Sequence, residues 1–363
     1  MKKSPANRRP VRLAIIGTGG MARTHATSFQ AIRGCALVAI AEPHEERRVA
    51  FAKEFGVREE NTFASTKDLL ARATFDAVSV VTPDAFHAEA SIACLRAGKH
   101  VLCEKPLALN HRDAMRMVRA ARAAGTINMV NFSYRNWPCI HAVAELIRRG
   151  DLGGIVHVEA NYLQTWLTSA VWGDWHTTPA WLWRLSKRHG SNGVLGDIGV
   201  HIVDFATYPV GGIRKVYAQL KAFPKAPGHR IGEYVLDAND SAVLNVEFAN
   251  GALGTIHTTR WASGHANRLY LKISGTKGAV EIDSERSVDS FKLCAGKDLD
   301  TVRWREVKAP PTPNLYARFI TGIRTGRQDQ PDFARGAAVQ QVLDACVASD
   351  AADRPVRLKV AGR

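Results

Sequence analysis

Short apolar runs alternate with helical segments along the first third of the chain. Four such runs cover residues 11–16, 36–41, 75–81 and 99–102. Between the last two runs, residues 87–97 have the character of a helix that ends at Gly98, since glycine commonly follows the last helical turn. Strands that alternate with helices in this way predict a parallel sheet with crossover helices.

The pattern changes after Pro138. A helix is expected from about His141 to Arg149, followed by a strand over 155–163. Further β-rich runs, separated by turn residues, cover 213–223, 240–248, 252–261, 268–274 and 279–282. Asn250-Gly251 lies between two of these runs and predicts a hairpin. We therefore expect an α/β protein whose second domain, 135–363, is α+β with a large, mostly antiparallel open sheet.

The glycine turn after the first run predicts a dinucleotide site. Gly17, Gly19 and Ala22 fit the pattern G-x-G-x-x-G/A, in which the second glycine lets the backbone approach a pyrophosphate. A purely structural glycine turn is the alternative. We expect a Rossmann NAD(P)-binding domain over residues 1–134. The candidate cofactor ligands in the turn are Gly17, Thr18, Gly19, Gly20 and Met21.

Glu42 ends the second run, where an acidic residue of such a domain binds the adenosine ribose. A carboxylate repels a 2′-phosphate, so Glu42 favours NAD over NADP as the cofactor. His44, Arg47 and Arg48 follow closely, and these basic groups leave NADP possible. A solvated loop carboxylate is the alternative reading of Glu42.

Composition is that of an ordinary globular protein. The 363 residues carry a formal net charge of +15, but Lys and Arg are dispersed along the chain, which argues against nucleic acid as a partner. The 6 cysteines lack metal-type spacing, and no apolar run reaches the length of a membrane span. We therefore expect a cytoplasmic protein with reduced thiols, no bound metal and no membrane contact.

Charged residues stand at the end of the fourth run, in Cys103-Glu104-Lys105-Pro106. Ligands of parallel sheets bind beyond the carboxyl ends of the strands, so Glu104 and Lys105 are expected beside the cofactor. Further along, Asp197 and His201 are four residues apart, which places both on one face of a helix. A helix-capping aspartate with a buried core histidine is the structural alternative.

Together these motifs resemble the Gfo/Idh/MocA oxidoreductases, named for glucose-fructose oxidoreductase and inositol dehydrogenase. The resemblance rests on the glycine turn, V-V-T-P-D-A-F-H at 80–87, E-K-P at 104–106 and the later D-x-x-x-H. It implies an NAD-dependent dehydrogenase that oxidises a ring secondary hydroxyl of a monosaccharide, anhydrosugar or cyclitol. It also implies catalytic roles for Lys105, Asp197 and His201, and which of the lysine and the histidine takes the proton stays open.

The resemblance implies further site residues. Thr82, Pro83 and His87 match the family's loop beside the adenosine and ribose. Trp183-Arg184 match a pair that reaches the cofactor in several members. The residues expected to bind substrate are Lys105, Arg135, Tyr162, Gln164, Asp197 and His201.

Five of the 8 tryptophans fall between Trp166 and Trp183. Aromatic faces suit the C–H face of a sugar ring or a neighbouring subunit, and we expect one of these contacts. The expected partners are a small sugar or cyclitol and further copies of the chain, in a homodimer or homotetramer.

Two other functions fit the same residues. An NAD-dependent glycosidase would oxidise the sugar transiently, cleave the glycosidic bond and release no net NADH. A non-catalytic nucleotide-sensing protein would bind the cofactor without turnover.

Overall fold

The computed structural model describes residues 9–359, which form two compact units. The first unit runs to Ser133 and also includes Pro313–Ala337. The second unit comprises Tyr134–Thr312 and the residues from Ala338 onward. The sequence predicts a single boundary between residues 134 and 135. The structure differs because Pro313–Ala337 belongs to the first unit.

A parallel sheet forms the centre of the first unit. Its strands are β1 (Val11–Ile16), β2 (Cys35–Ala41), β3 (Thr62–Phe63), β4 (Ala77–Val80), β5 (His100–Cys103) and β6 (Asn128–Val130). The helices between them are α1 (Gly20–Gln30), α2 (Glu45–Phe55), α3 (Thr66–Arg72), α4 (His87–Arg96) and α5 (His111–Ala124). The strand order is β3-β2-β1-β4-β5-β6, with every pair parallel. In this Rossmann order, ligands bind where the order reverses, beside β1 and β4.

Local sequence sets the limits of these elements. β1 is buried along almost its whole length, as expected where helices cover both faces of a parallel sheet. α5 begins after Asn110, whose side chain accepts a hydrogen bond from the N–H of Asp113. It ends at Gly125, which has the left-handed φ of +60° that glycine adopts without strain.

The remaining helices are α6 (Pro138–Arg148), α7 (Pro179–Leu182), α8 (Val200–Val210), α9 (Leu315–Thr325) and α10 (Phe333–Ala352). α9 explains why its segment belongs to the first unit. The rings of Tyr316 and Phe319 lie 5.1 and 6.3 Å from the ring of Phe29 on α1. Burying aromatic rings of this size stabilises a core by about 1.5–3 kcal/mol each, so the first unit needs this distant segment to complete its core.

A large sheet dominates the second unit. Its strands are β7 (Ile155–Gln164), β8 (Ile213–Lys221), β11 (Ser241–Phe248), β12 (Leu253–Thr259), β13 (Asn267–Gly275), β14 (Gly278–Asp283), β15 (Ser290–Ala295), β16 (Arg305–Lys308) and β17 (Val356–Arg357), while β9 (Arg230–Ile231) and β10 (Tyr234–Val235) form a separate pair. The order is β16-β15-β14-β13-β7-β12-β11-β8-β17. Only the β7–β12 pair is parallel among the pairs that the structure describes in this sheet.

The predicted fold class is confirmed: a parallel six-stranded Rossmann sheet is followed by a mostly antiparallel nine-stranded one. The hairpin at Asn250-Gly251 joins β11 to β12, with the N–H of Phe248 donating to the carbonyl of Ala252 at 2.9 Å. Within residues 9–359, no helix has both the length and the apolar character needed to cross a bilayer.

Candidate active site

The glycine turn after β1 has the geometry of a pyrophosphate-binding loop. Gly17 has a φ of +88°, and a Cβ on it would lie 2.6 Å from the carbonyl oxygen of Val81, so only glycine fits this position. At Gly19 and Gly20 an added Cβ would meet nothing within 4 Å, so the turn is open on its outer side. α1 begins at Gly20 without a side-chain cap, and its first N–H groups suit an anion. Met21, 49% exposed, lies in the first turn of this helix.

Glu42 is tied to this turn. Its Oε2 accepts hydrogen bonds from the backbone N–H of Thr18 at 2.9 Å and from the Thr18 hydroxyl at 3.1 Å. Its Oε1 accepts a hydrogen bond from the N–H of His44 at 3.1 Å. The carboxylate is buried and joins the turn to the end of β2, so the solvated-loop reading of Glu42 is wrong. Contact between Glu42 and the adenosine ribose stays a prediction.

Glu104 turns into the interior at the carboxyl end of β5. Its Oε1 lies 2.7 Å from Nε2 of His25 and 2.5 Å from the amide nitrogen of Asn131, while Oε2 accepts from the N–H of Lys105 at 3.0 Å. Burial raises the pKa of Glu104, but the hydrogen bonds from His25 and Asn131 lower it to about 2. Glu104 therefore has an internal role and not the predicted contact with the cofactor. Both of its carboxylate oxygens accept hydrogen bonds from protein donors, and one of them holds the main-chain N–H of Lys105.

His87 also lies inside the first unit. Its ring is fully buried, with Nδ1 2.8 Å from the carbonyl oxygen of Pro106 and Nε2 2.9 Å from that of Thr82. The predicted contact between His87 and the cofactor is therefore wrong, since neither ring nitrogen faces outward. Thr82 is half-buried and Pro83 is exposed at the carboxyl end of β4, and Lys105 is half-buried after β5. These three residues stay candidates.

Asp197 lies within an irregular helical turn of the second unit, and His201 follows that turn. A π-helical turn, Leu195–Gly199, contains Asp197 and leads into α8, which carries His201. The spacing predicts two residues on one face of a regular α-helix, whereas the wider π turn changes their relative direction. Such turns are frequent at functional sites. Asp197 does not cap α8, which begins after Gly199 without a side-chain cap, so the capping alternative is wrong.

Asp197 faces a fully buried arginine. Arg260 donates through Nη2 to Oδ2 of Asp197 at 2.9 Å and through Nη1 to the carbonyl oxygen of Arg184 at 3.0 Å. Nε of Arg184 lies 3.9 Å from the same carboxylate oxygen, and its guanidinium lies 4.6 Å from the ring of Trp183. Burial lowers the pKa of Arg260, and Asp197 opposes that effect. Sequence reasoning missed Arg260, which lies directly after β12 and inside the β-rich run predicted for 252–261.

The ring of His201 packs among tyrosines. Its centroid lies 4.8 Å from that of Tyr134 and 6.4 Å from that of Tyr162. The Tyr162 hydroxyl and the Gln164 amide both donate to Oδ1 of Asn267, at 2.8 and 2.9 Å. Burial raises the pKa of Tyr162 well above its ordinary value, and the adjacent Tyr134 adds to the shift. Tyr134 and Asn267, which the sequence did not single out, connect the candidate substrate residues to His201.

Arg135 is a structural residue. Its guanidinium donates to both oxygens of Asp204 on α8, at 2.6 and 2.8 Å, and its Cζ lies 3.5 Å from the ring centroid of Tyr208. The side chains of Arg135 and Asp204 are only 1% and 3% exposed. The predicted substrate contact of Arg135 is therefore wrong, because its charge is neutralised inside the unit.

The tryptophan-rich stretch builds a small core. Trp166 and Trp175 are buried in it, while Trp172 and Trp181 pack against it half-buried, with ring centroids 6.2 Å apart. The predicted contact with sugar or another subunit is wrong for Trp166 and Trp175, because these rings are buried within their own unit. Trp183 is 39% exposed and stays a candidate. In residues 9–359, no group of three or more His, Cys, Asp or Glu side chains is arranged to hold a metal ion.

Comparisons with known proteins agree with this fold. An oxidoreductase family with an NAD-binding Rossmann fold matches residues 11–132, and the GFO/IDH/MocA C-terminal domain matches residues 140–281. Levoglucosan dehydrogenase of Pseudarthrobacter phenanthrenivorans is 29% identical over 94% of this chain and 96% of its own. Myo-inositol 2-dehydrogenase of Thermotoga maritima is 29% identical over 76% of this chain and 76% of its own. A solved structure of levoglucosan dehydrogenase in complex with NADH matches 97% of this chain and 100% of that chain, with a TM-score of 0.85 and 29% identity.

These matches confirm the predicted cofactor and class of enzyme. The cofactor is NAD, and the open glycine turn at the switch point of the sheet fits its pyrophosphate. The protein is an NAD-dependent oxidoreductase that acts on CH–OH groups. Both family domains are present, and the chain belongs to the Gfo/Idh/MocA oxidoreductase family.

Proposed function

We propose that the protein oxidises a ring secondary hydroxyl of a monosaccharide, anhydrosugar or cyclitol. The main support for the proposal is the sequence similarity to levoglucosan dehydrogenase over 94% of this chain. The similar region includes both the nucleotide-binding unit and the unit that contains Asp197 and His201. NAD, when bound, accepts the hydride. The chain itself holds the cofactor, removes the hydroxyl proton and stabilises the charge that develops on oxygen.

Lys105 supplies the positive charge. It follows β5 at the carboxyl edge of the parallel sheet, where such sheets bind their ligands. Its main chain is fixed by the hydrogen bond from its N–H to Glu104. A fixed ammonium group beside the reacting oxygen stabilises the alkoxide character of the transition state.

His201 accepts the hydroxyl proton. An imidazole ordinarily titrates near neutral pH and so suits a general base. The edge-to-face packing of its ring on Tyr134 restricts its orientation. Because the lysine and the histidine serve one proton transfer, their individual shares in it are coupled.

Asp197 binds a substrate hydroxyl or orients the imidazole as an acceptor. The buried guanidinium of Arg260 donates to one carboxylate oxygen at 2.9 Å and so fixes the position of Asp197. Tyr162 and Gln164, ordered through Asn267, supply further polar groups for sugar hydroxyls. Thr82, Pro83, Trp183 and Arg184 are proposed to contact the cofactor along with the glycine turn.

A panel of cyclic substrates tests the proposal. Levoglucosan, myo-inositol, glucose and methyl glucosides are each incubated with NAD, and NADH formation is followed by absorbance. Net NADH with at least one of them is expected, and Lys105→Ala is expected to abolish most of it. Exposed Lys53 on α2 provides the matched control Lys53→Ala, which should retain wild-type activity. Glycoside cleavage without net NADH, or NAD binding without turnover on any of them, would overturn the proposal.

We also propose that the protein acts as a homodimer or homotetramer through the face of the nine-stranded sheet. Val243 and Leu253, on neighbouring strands β11 and β12, expose 43% and 58% of their surface on this face. Sedimentation of the wild type and of Val243→Glu tests this: the variant should dissociate toward monomers. A monomeric wild type would contradict it.

A further inference from the structure

His87, the first residue of α4, is fully buried between two main-chain carbonyl groups. Its Nδ1 lies 2.8 Å from the oxygen of Pro106, and its Nε2 lies 2.9 Å from the oxygen of Thr82. A carbonyl oxygen accepts hydrogen bonds and has no proton to donate. Both ring nitrogens must therefore carry a proton for both contacts to be hydrogen bonds, and an imidazole protonated at both nitrogens is a cation.

The two carbonyl groups belong to the loops that leave β4 and β5. These neighbouring strands pair up to Val80 and Cys103, and the N–H of Glu104 donates to the carbonyl of Val80 at 2.9 Å. Beyond that bond the strands separate into two loops, one starting at Thr82 and the other carrying Lys105 and Pro106. His87 connects the two loops just past the end of the ladder.

We propose that His87 is a positively charged positioning residue that holds the Lys105–Pro106 turn against the loop after β4. By fixing the main chain next to Lys105, it sets the place of the ammonium group that the proposed function requires. The inference about position rests on that proposed role of Lys105, whereas the inference about charge rests on the geometry of His87 alone.

The surroundings of the ring favour the cation. The titratable groups that face it are Cys103 from β5 and Asp84 from the turn that precedes α4. Burial by itself lowers the pKa of His87, but Cys103, Asp84 and the Pro106 carbonyl favour the charged form and raise it from 6.5 to about 10. A neutral imidazole would direct one lone pair at a carbonyl lone pair, which is repulsive at these distances.

His25 offers a contrast within the same unit. It is as deeply buried, yet its Nδ1 lies 2.7 Å from the hydroxyl of Ser79, and its Nε2 lies 2.7 Å from Oε1 of Glu104. A hydroxyl can donate as well as accept, so one neutral tautomer of His25 satisfies both contacts. The requirement for two protons is therefore specific to His87 and does not follow from burial.

The charge of His87 can be read directly by nitrogen NMR of the full-length protein with ¹⁵N-labelled histidine, without substrate. At about pH 8 an ordinary histidine is neutral, and we expect His87 to show two protonated ring nitrogens with slowly exchanging protons. The His87→Gln spectrum identifies the signal by its loss. A neutral ring with a single N–H at that pH would overturn the proposal.

The positioning role is tested by kinetics. His87→Gln keeps an amide donor but loses the charge and one of the two hydrogen bonds. We expect kcat to fall by about tenfold to a hundredfold, as small displacements of a catalytic group do, while the KM for sugar and the Kd for NAD change by less than about threefold. His100→Gln, at the opposite end of β5, is the matched control and should retain wild-type kcat.

The NMR and kinetic experiments distinguish failure of the His87 proposal from failure of the proposed function. If His87→Gln is folded by circular dichroism and keeps wild-type kcat, the positioning role is refuted. If Lys105→Ala proves fully active, the proposed function fails, yet the doubly protonated signal of His87 is still expected. Should His87→Gln fail to fold, His87→Asn, which also retains an amide donor, takes its place in the kinetic test and the same loss of kcat is expected.

Discussion

Arg135→Ala should unfold the second unit far more easily and leave the affinity for sugar almost unchanged. The arginine forms a two-point hydrogen-bonded ion pair with Asp204 on α8, the helix that also carries His201. Both side chains are almost completely removed from solvent. Truncating Arg135 leaves the carboxylate of Asp204 buried without its cation, and that change typically costs about 3–5 kcal/mol.

Urea unfolding followed by tryptophan fluorescence measures this loss in the right part of the molecule. All 8 tryptophans, from Trp137 to Trp304, belong to Tyr134–Thr312, so their fluorescence reports the second unit. With a urea dependence of about 2 kcal/mol per molar, a loss of about 4 kcal/mol lowers the midpoint by about 2 M. Exposed Arg188 supplies the control Arg188→Ala, which should leave the midpoint where it is.

The double variant Arg135→Met/Asp204→Leu separates the pair from its surroundings. Replacing both charges with apolar groups removes the unpaired carboxylate, so most of the lost stability should return. If Arg135→Ala unfolds at the same urea concentration as the wild type and instead raises the KM for sugar, Arg135 contacts the substrate and does not act through the buried ion pair.

Four further substitutions test other parts of the structure. Glu42→Ala should raise the KM for NAD and relax discrimination against NADP, because the carboxylate both braces Thr18 and repels a 2′-phosphate; a wild type that prefers NADP by kcat/KM would contradict this. The pKa of Glu104 is lowered from 4.5 to about 2, so its stabilising contribution is present above about pH 4.5 and is lost as the pH falls toward 2. Glu104→Gln should therefore weaken the acid dependence of unfolding followed by circular dichroism, and an unchanged dependence would refute the role of the His25 contact. Trp166→Ala should lower the free energy of unfolding, measured in urea, by about 3–5 kcal/mol. Trp183→Ala, at an exposed position, should change the free energy of unfolding by no more than about 0.5 kcal/mol and should change the KM for NAD. The reverse pattern would show that Trp166 does not act by packing in the core.

The elements that the sequence predicted well are those whose signals are local. The run that forms β1, the turn at Gly17 and the hairpin at Asn250-Gly251 each depend on residues that are neighbours in the chain. The helix α9 belongs to the first unit because Phe319 contacts Phe29, which is distant in the sequence. No local pattern reveals which core a distant apolar helix completes.

The candidate site shows the same division between residue type and partner. The family resemblance singled out Asp197 and His201, but the π turn that contains Asp197 and the buried partner of Asp197, Arg260, depend on the folded chain. Arg135 and His87 were misassigned for one reason: a polar side chain that matches a ligand-binding position can also be satisfied inside the protein. Their partners, Asp204 and two backbone carbonyls, could be found only from the structure.

The proposed reaction transfers the hydride of a ring C–H of a sugar or cyclitol to NAD, with Lys105 stabilising the oxygen. Its most direct test uses a substrate from the panel, deuterated at its ring carbons, in ordinary water. Mass spectrometry of the reduced cofactor should find one deuterium per NADH, and single-turnover formation of that species should be about a hundredfold or more slower in Lys105→Ala. Reduced cofactor without deuterium would show that the hydride does not come from a ring carbon, and formation of the labelled cofactor at the wild-type rate in Lys105→Ala would show that Lys105 does not stabilise the oxygen.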